Sequence, residues 1–175
     1  MLMSNLLQNK VFLAIISMLT GIVLVDFYSV IIKSLGNQYS TPQLAFFRNF
    51  FALIPIILLL IITRDIKNIF VGVSKKFLFL CFLRGISFVL MQIFYYISII
   101  NMNFATATTL TFSSPIFIVV LSMLVLKEKI GLFRWAALFI GFGGVLLIMN
   151  PSSEVFSYIS ILPLLAALFL SLIHI

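Results

Sequence analysis

Apolar residues run along this chain in six long blocks separated by short polar stops. The blocks are Val11–Ile32, Pro42–Ile62, Phe77–Ile100, Ala105–Leu126, Leu132–Met149 and Val155–Ile173. A membrane-spanning helix needs about 20 mainly apolar residues, so each block reads as a span or close to one, the fifth being shortest. The stops carry turn and helix-end chemistry: Gly36-Asn37 with Thr41-Pro42, Arg64-Asp65, Asn101 and Asn103, Lys127-Glu128-Lys129, and Asn150-Pro151-Ser152-Ser153. None is long enough to hold a soluble domain. The pattern predicts an all-α integral membrane protein of about six transmembrane helices.

Composition agrees. Of 175 residues, 63% are hydrophobic and 9% charged, against about 45–50% and about 25% for a soluble domain. Too few polar residues remain to cover a water-facing surface, and lipid is the solvent that suits the rest. The start of the chain reads as a retained first span, because the run from Val11 is long for a signal-peptide core and no small-residue cleavage site follows it. Cys81 is the sole cysteine, so no disulfide forms within the chain.

The net charge of +7 would suggest a nucleic-acid partner if it formed a patch on a soluble body. Here the basic residues fall between apolar blocks, where they set topology instead. With a cytoplasmic N-terminus, Lys10, Arg64, Lys67, Lys75, Lys76, Lys127, Lys129 and Arg134 all lie inside, and Lys33 alone lies outside. That imbalance predicts the orientation and leaves no surface for nucleic acid. Five spans end on the side opposite to where they began, so a second, homologous five would be inserted upside down. The expected organisation is therefore a five-helix repeat over residues 1–149, then a loop and a sixth helix over 150–175 in which the chain looks truncated.

Charges inside spans cost roughly 2.5–3.5 kcal/mol at the centre on insertion scales, so each needs a reason. Asp26 lies six residues before the outer end of the first span and Arg48 six residues after the outer start of the second. At about 1.5 Å per residue both sit about 9 Å below the outer surface, on helices joined by a short loop. A contact between them is geometrically natural. It would line a polar cavity for a charged or zwitterionic substrate, or simply form a structural ion pair; Arg48 could also snorkel to the interface. Ser29 and Lys33 follow Asp26 at three and seven residues and extend a polar stripe.

Arg84 lies near the inner end of the third span, as a snorkelling side chain or a substrate contact. Farther along, Gln92 and Tyr96 share a face with Tyr95 beside them. Aromatic cavity walls suit flat or cationic substrates, whereas a tyrosine near a span's end is also ordinary interface decoration, the reading favoured for Tyr96. The fourth span holds Thr106, Thr108, Thr109, Thr111, Ser113, Ser114 and Pro115 within ten positions. Pro115 frees a backbone carbonyl and kinks the helix, and the hydroxyls either satisfy that backbone or face a cavity. Gly141 and Gly144 in the fifth span permit close helix approach.

Enzymatic readings find no support. One histidine at the end and one cysteine in an apolar block supply neither a metal site nor a nucleophile–base pair, so no catalytic residue, metal or cofactor is expected. Gly141, Gly143 and Gly144 lack the lysine and strand–helix context of a phosphate loop. Nothing resembles a channel's selectivity filter.

Several of these elements together resemble the EamA-like family of the drug/metabolite transporter superfamily. They are Thr41-Pro42-Gln43-Leu44-Ala45-Phe46-Phe47-Arg48, Leu83-Arg84-Gly85, Ala105-Thr106-Ala107-Thr108 leading to Ser114-Pro115, Leu126-Lys127-Glu128-Lys129-Ile130, Trp135 and Gly141-Phe142-Gly143-Gly144-Val145. The resemblance covers residues 11 to 173. It implies ten spans in two inverted five-helix repeats, a central cavity, and secondary transport or facilitated exchange. Arg48, Arg84, Pro115 and Glu128 fall on its motif positions, with Glu128 organising a loop or capping a helix. The Phe-Phe-Arg and Leu-Arg-Gly elements look most like the subgroup that takes up S-adenosylmethionine in host-dependent bacteria. The departure from the family is length, one repeat plus one span.

The expected function is thus a secondary carrier, or half of one, for a small polar metabolite such as an amino acid or S-adenosylmethionine, in a bacterial inner membrane. Asp26, Arg48, Arg84, Gln92, Tyr95, Thr111 and Ser114 are the cavity candidates. A second half-carrier or a homodimer would complete it. The competing expectation is a non-transporting fragment or an assembly subunit of a split carrier.

Overall fold

The computed structural model describes residues 2–63, 73–149 and 157–175. The stops expected at Arg64-Asp65 and Asn150–Ser153, and the topological charge of Lys67, lie outside the described residues. Seven α-helices and a short 3₁₀ turn make up the described chain: α1 (Leu2–Leu35), α2 (Thr41–Thr63), α3 (Lys75–Asn101), α4 (Phe104–Thr111), α5 (Ser114–Val125), α6 (Leu132–Met149), the turn Tyr158–Ser160, and α7 (Ile161–His174). Among the described residues, four spans are long and apolar enough to cross a membrane, namely Lys10–Leu35, Thr41–Thr63, Lys75–Asn101 and the tandem Phe104–Val125, and two shorter apolar helices follow.

The helix ends follow from local chemistry. Before α2, the Gln43 side chain accepts from the Ser40 backbone N–H (3.1 Å), half of a capping box, and Pro42 sits in the first turn, where its missing N–H costs nothing. Ser74 caps α3 by accepting from the Lys76 N–H, and Asn103 caps α4 by accepting from the Ala105 N–H at 3.0 Å. The chain therefore reverses between α3 and α4 over Met102 and Asn103 alone. Pro115 explains the next break. It has no N–H for the Thr111 carbonyl and its ring crowds that oxygen. The chain turns at Phe112-Ser113, whose N–H groups bond back to Thr108, Thr109 and Leu110. The fourth expected span is thus two helices in tandem.

The end of α5 needs a residue in the left-handed region. Lys127 supplies it with φ 56°, and the following Glu128 N–H reaches the Ser122 carbonyl at 3.4 Å. Glu128 acts on this loop through its backbone, while its side chain is exposed.

Packing centres on α3 and α7, which make the most extensive helix contact; α7 also lies against α4 and α5, and α6 against α4. Phe94 and Phe169 stack across the α3–α7 seam with centroids 5.7 Å apart, and Ala166, Ala167 and Ser171 are fully buried. On the other side of α3 sit α1 and α2. Helix α1 joins the core through Tyr28, Ser29, Ile32 and Leu35 near its end, and every residue from Lys10 to Phe27 is exposed. Gly36 then lets the chain pass close to α3, because a Cβ there would overlap the Ile100 side chain.

The buried set is inverted relative to a water-soluble fold. Among the described residues, nine buried hydrophobic side chains accompany ten buried polar ones, while long rows of Leu, Ile, Val and Phe on α1 and α2 face outward. A water-soluble protein buries its large apolar residues first. In lipid the outer face carries no such penalty, and hydroxyls inside a bundle act as short-range glue. The chain is a multi-pass membrane protein.

Candidate functional site

Where α1, α2 and α3 meet, their polar side chains join into one network. Gln92 on α3 is 1% exposed, and both ends of its amide are used. Its Oε1 accepts from Asn49 Nδ2 on α2 at 3.0 Å, and its Nε2 donates to Tyr96 Oη at 2.8 Å. The Tyr96 hydroxyl is in turn hydrogen-bonded to that of Tyr28 on α1. Gln92 and Tyr96 meet because they are four residues apart on one helix face. Asn49 and Tyr28 form the two ends of this hydrogen-bond chain, one from each flanking helix.

Arg48 completes the junction. Its guanidinium lies over the Tyr28 ring at 5.3 Å from the centroid and over the Phe88 ring at 5.4 Å. Each such contact contributes about 0.5–2 kcal/mol, the upper end when desolvated. Two together offset much of the roughly 2.5–3.5 kcal/mol that an arginine costs inside a span. Arg48 therefore points into the bundle and does not snorkel.

Tyr95 lies beside Tyr96, with centroids 6.4 Å apart, and its polar neighbours are Ser29 and Asp26 on α1. The Asp26–Arg48 ion pair is not formed. Arg48 faces Tyr28, and two residues along a helix turn the side chain by about 200°, so Asp26 cannot face the same partner. The stripe that starts at Asp26 faces α3 instead: Ser29 is buried, and Lys33 Nζ donates to the Met102 carbonyl at 2.9 Å, at the end of α3. Around Lys33, Ser34, Asn101 and Asn103 opens a groove of about 720 Å³. It lies within the usual range of ligand pockets. Ser29 and Tyr96 stand one helical turn inward from Lys33 and Ile100 of that groove.

The structure does not bring the remaining candidates here. Arg84 is exposed on α3, eight residues before Gln92 and so about 12 Å along the axis. Thr111 donates to the Ala107 carbonyl at 2.9 Å, and Thr108, Thr109 and Ser113 likewise bond within α4, so these hydroxyls satisfy backbone. Ser114, half-buried, and Pro115 stand at the α4–α5 break. Gly141 and Gly144 do not draw a helix close, since nothing lies within 4 Å of a Cβ built on either; Gly141 borders an apolar cleft of about 490 Å³ between α5 and α6.

The apolar helical architecture is in keeping with what comparison of the sequence finds. Residues 12–150 match the profile of the EamA-like transporter family. The chain belongs to that family. Among curated EamA-like relatives, the S-adenosylmethionine uptake transporter of Rickettsia bellii is 33% identical over 71% of this chain and 41% of its own length. The riboflavin transporter of Rhizobium johnstonii is 40% identical over 35% of this chain and 20% of its own length. An uncharacterised transporter of Helicobacter pylori is 29% identical over 97% of this chain and 56% of its own. The chain thus spans about half, or less, of the relatives it matches. No solved structure matches it significantly.

Four participants escape the sequence reading. Tyr96, read as interface decoration, is 2% exposed and is the centre of the network. Tyr28 and Phe88 are missed because an aromatic residue in an apolar block carries no polar signal. Asn49, next to Arg48, was detectable as an amide eight residues into its helix.

Proposed function

We propose that this chain is the first five-helix repeat of a secondary carrier, together with a sixth helix, and that it moves a small polar metabolite across a bacterial inner membrane. The observation that carries this reading is the polar junction between three helices with apolar outer faces, in which Gln92 and Tyr96 are buried and Arg48, Tyr28 and Asn49 half-buried. Polar groups at membrane depth are expensive and mark substrate pathways.

The aromatic residues of this junction suit a flat or cationic molecule, and Asp26 beside Tyr95 suits a positive charge. S-adenosylmethionine combines an adenine, a sulfonium and an amino-acid group, and it is the molecule named for the Rickettsia relative. An amino acid meets the same requirements in smaller form. In the proposed arrangement the N-terminus is cytoplasmic, six helices span the membrane, and a second inverted repeat, from a partner chain or a second copy, completes a ten-helix carrier. Alternating access is rocking of one repeat against the other.

Proteoliposomes holding the full chain test the proposal through uptake of radiolabelled S-adenosylmethionine, riboflavin and amino acids. Accumulation above protein-free liposomes, abolished by excess unlabelled compound, is expected for a member of this set. Failure of every compound overturns the reading that this chain, alone or as two copies, is a carrier, and favours a subunit of a larger assembly.

A further inference from the structure

The geometry points to Arg48 as the subsite that takes the carboxylate of the transported molecule, which restricts the cargo to carboxylate-bearing metabolites. This inference rests on the carrier reading and names the substrate class of the same site. Its basis is how the guanidinium is held. Tyr28 and Phe88 hold Arg48 through their ring faces, and a ring face leaves the planar fork of five N–H donors unspent. Among the described residues, Arg48 makes no hydrogen bond and no ion pair.

None of the neighbouring side chains is hydrogen-bonded to it. The Tyr28 and Tyr96 hydroxyls bond each other, and the Gln92 amide bonds Asn49 and Tyr96. Asp26 faces another direction. A positively charged fork that bonds no acceptor, held between two aromatic rings, matches the two oxygens of a carboxylate. The single charge also decides between anions. Lys33, the nearest other cation along α1, is committed to the Met102 carbonyl, so a doubly charged phosphate would find only half of its charge answered. At the other end of the tyrosine row, Asp26 beside Tyr95 is placed for the cationic end of a zwitterion.

The test labels the reconstituted full chain with phenylglyoxal, which modifies arginine, and follows Arg48 by mass spectrometry with exposed Arg84 and Arg134 as internal references. The protectants are matched pairs: S-adenosylmethionine against its decarboxylated form, and methionine against methioninamide, with inorganic phosphate alongside. The carboxylate member of a pair should slow labelling of Arg48 about tenfold more than its partner, the usual worth of a charge-assisted bidentate contact. Equal protection by both members overturns the inference, as do protection by phosphate above carboxylate, no protection by any compound, or an Arg48 that resists labelling. Uptake measured in parallel separates the two readings. Carboxylate-selective protection without uptake keeps the subsite and removes the carrier. Uptake by a folded Arg48→Gln variant with unchanged preference for the carboxylate member keeps the carrier and removes the subsite.

Discussion

The strongest mechanical claim about the junction is that Gln92 ties α2 to α3, and Gln92→Leu is the substitution that tests it. Leucine nearly matches glutamine in volume, so the change leaves no cavity and removes only the amide. Two bonds disappear, the 3.0 Å bond from Asn49 and the 2.8 Å bond to Tyr96. An interhelical side-chain bond in a membrane contributes about 0.6 kcal/mol on average and up to about 1.7. A buried donor left without an acceptor costs about 1–3 kcal/mol. Asn49 is half-buried and loses its acceptor, whereas Tyr96 keeps Tyr28, so a net loss of about 1–2 kcal/mol is expected. For a chain of this size that lowers the thermal midpoint by about 2–8 °C. Near-UV circular dichroism of the detergent-purified protein reads it. A double-mutant cycle with Asn49→Ala isolates the pair, with an expected coupling of about 0.6–1.7 kcal/mol. Strict additivity, or a Gln92→Leu protein that melts no lower than wild type, refutes the tie.

Three further outcomes follow from the same structure. Gly36→Ala drives a methyl into Ile100 and should destabilise the protein by about 1–3 kcal/mol in thermal unfolding, with Ile100→Ala restoring part of the loss. Lys127→Gly removes a side chain from a backbone at φ 56° and should raise the melting midpoint by an amount equivalent to about 0.5–1 kcal/mol. Asp26→Ala and Arg48→Ala should each impair uptake into proteoliposomes without preventing membrane insertion, and a double-mutant cycle on stability should show coupling below about 0.5 kcal/mol, because the two side chains face different partners.

Much of the helical layout was legible because the membrane imposes a simple rule on sequence. A helix in lipid satisfies its own backbone, so a long apolar block bounded by turn residues becomes a helix with little help from tertiary context. Helices α2, α3 and α6 accordingly end within two residues of the blocks read from the sequence. The fourth block shows what hydropathy alone misses. It is uniformly apolar enough to read as one span, and only Pro115, with the bond it denies to Thr111, divides it. How helices pack was also hidden. Gly141 and Gly144 look like packing glycines, yet the close approach occurs at Gly36, in a loop, because proximity depends on which face turns inward and not on residue size alone.

The site tested a different kind of inference. Asp26 and Arg48 stand at matching depth on consecutive helices, and depth with sign of charge suggested a pair. Depth fixes only one coordinate of a helical residue; azimuth fixes the other, at about 100° per residue. Sequence gives azimuth relative to other residues of the same helix, which is why Gln92 and Tyr96 are expected on one face, where they hydrogen-bond. It gives no azimuth between helices, so it leaves open whether Arg48 meets Asp26, snorkels or finds another partner. The partner it has, the faces of Tyr28 and Phe88, carries no formal charge and leaves no trace in a search for opposite signs. An arginine matched to an aspartate has its charge answered within the protein, whereas one held between rings keeps its N–H donors, the feature on which the proposed carboxylate subsite rests.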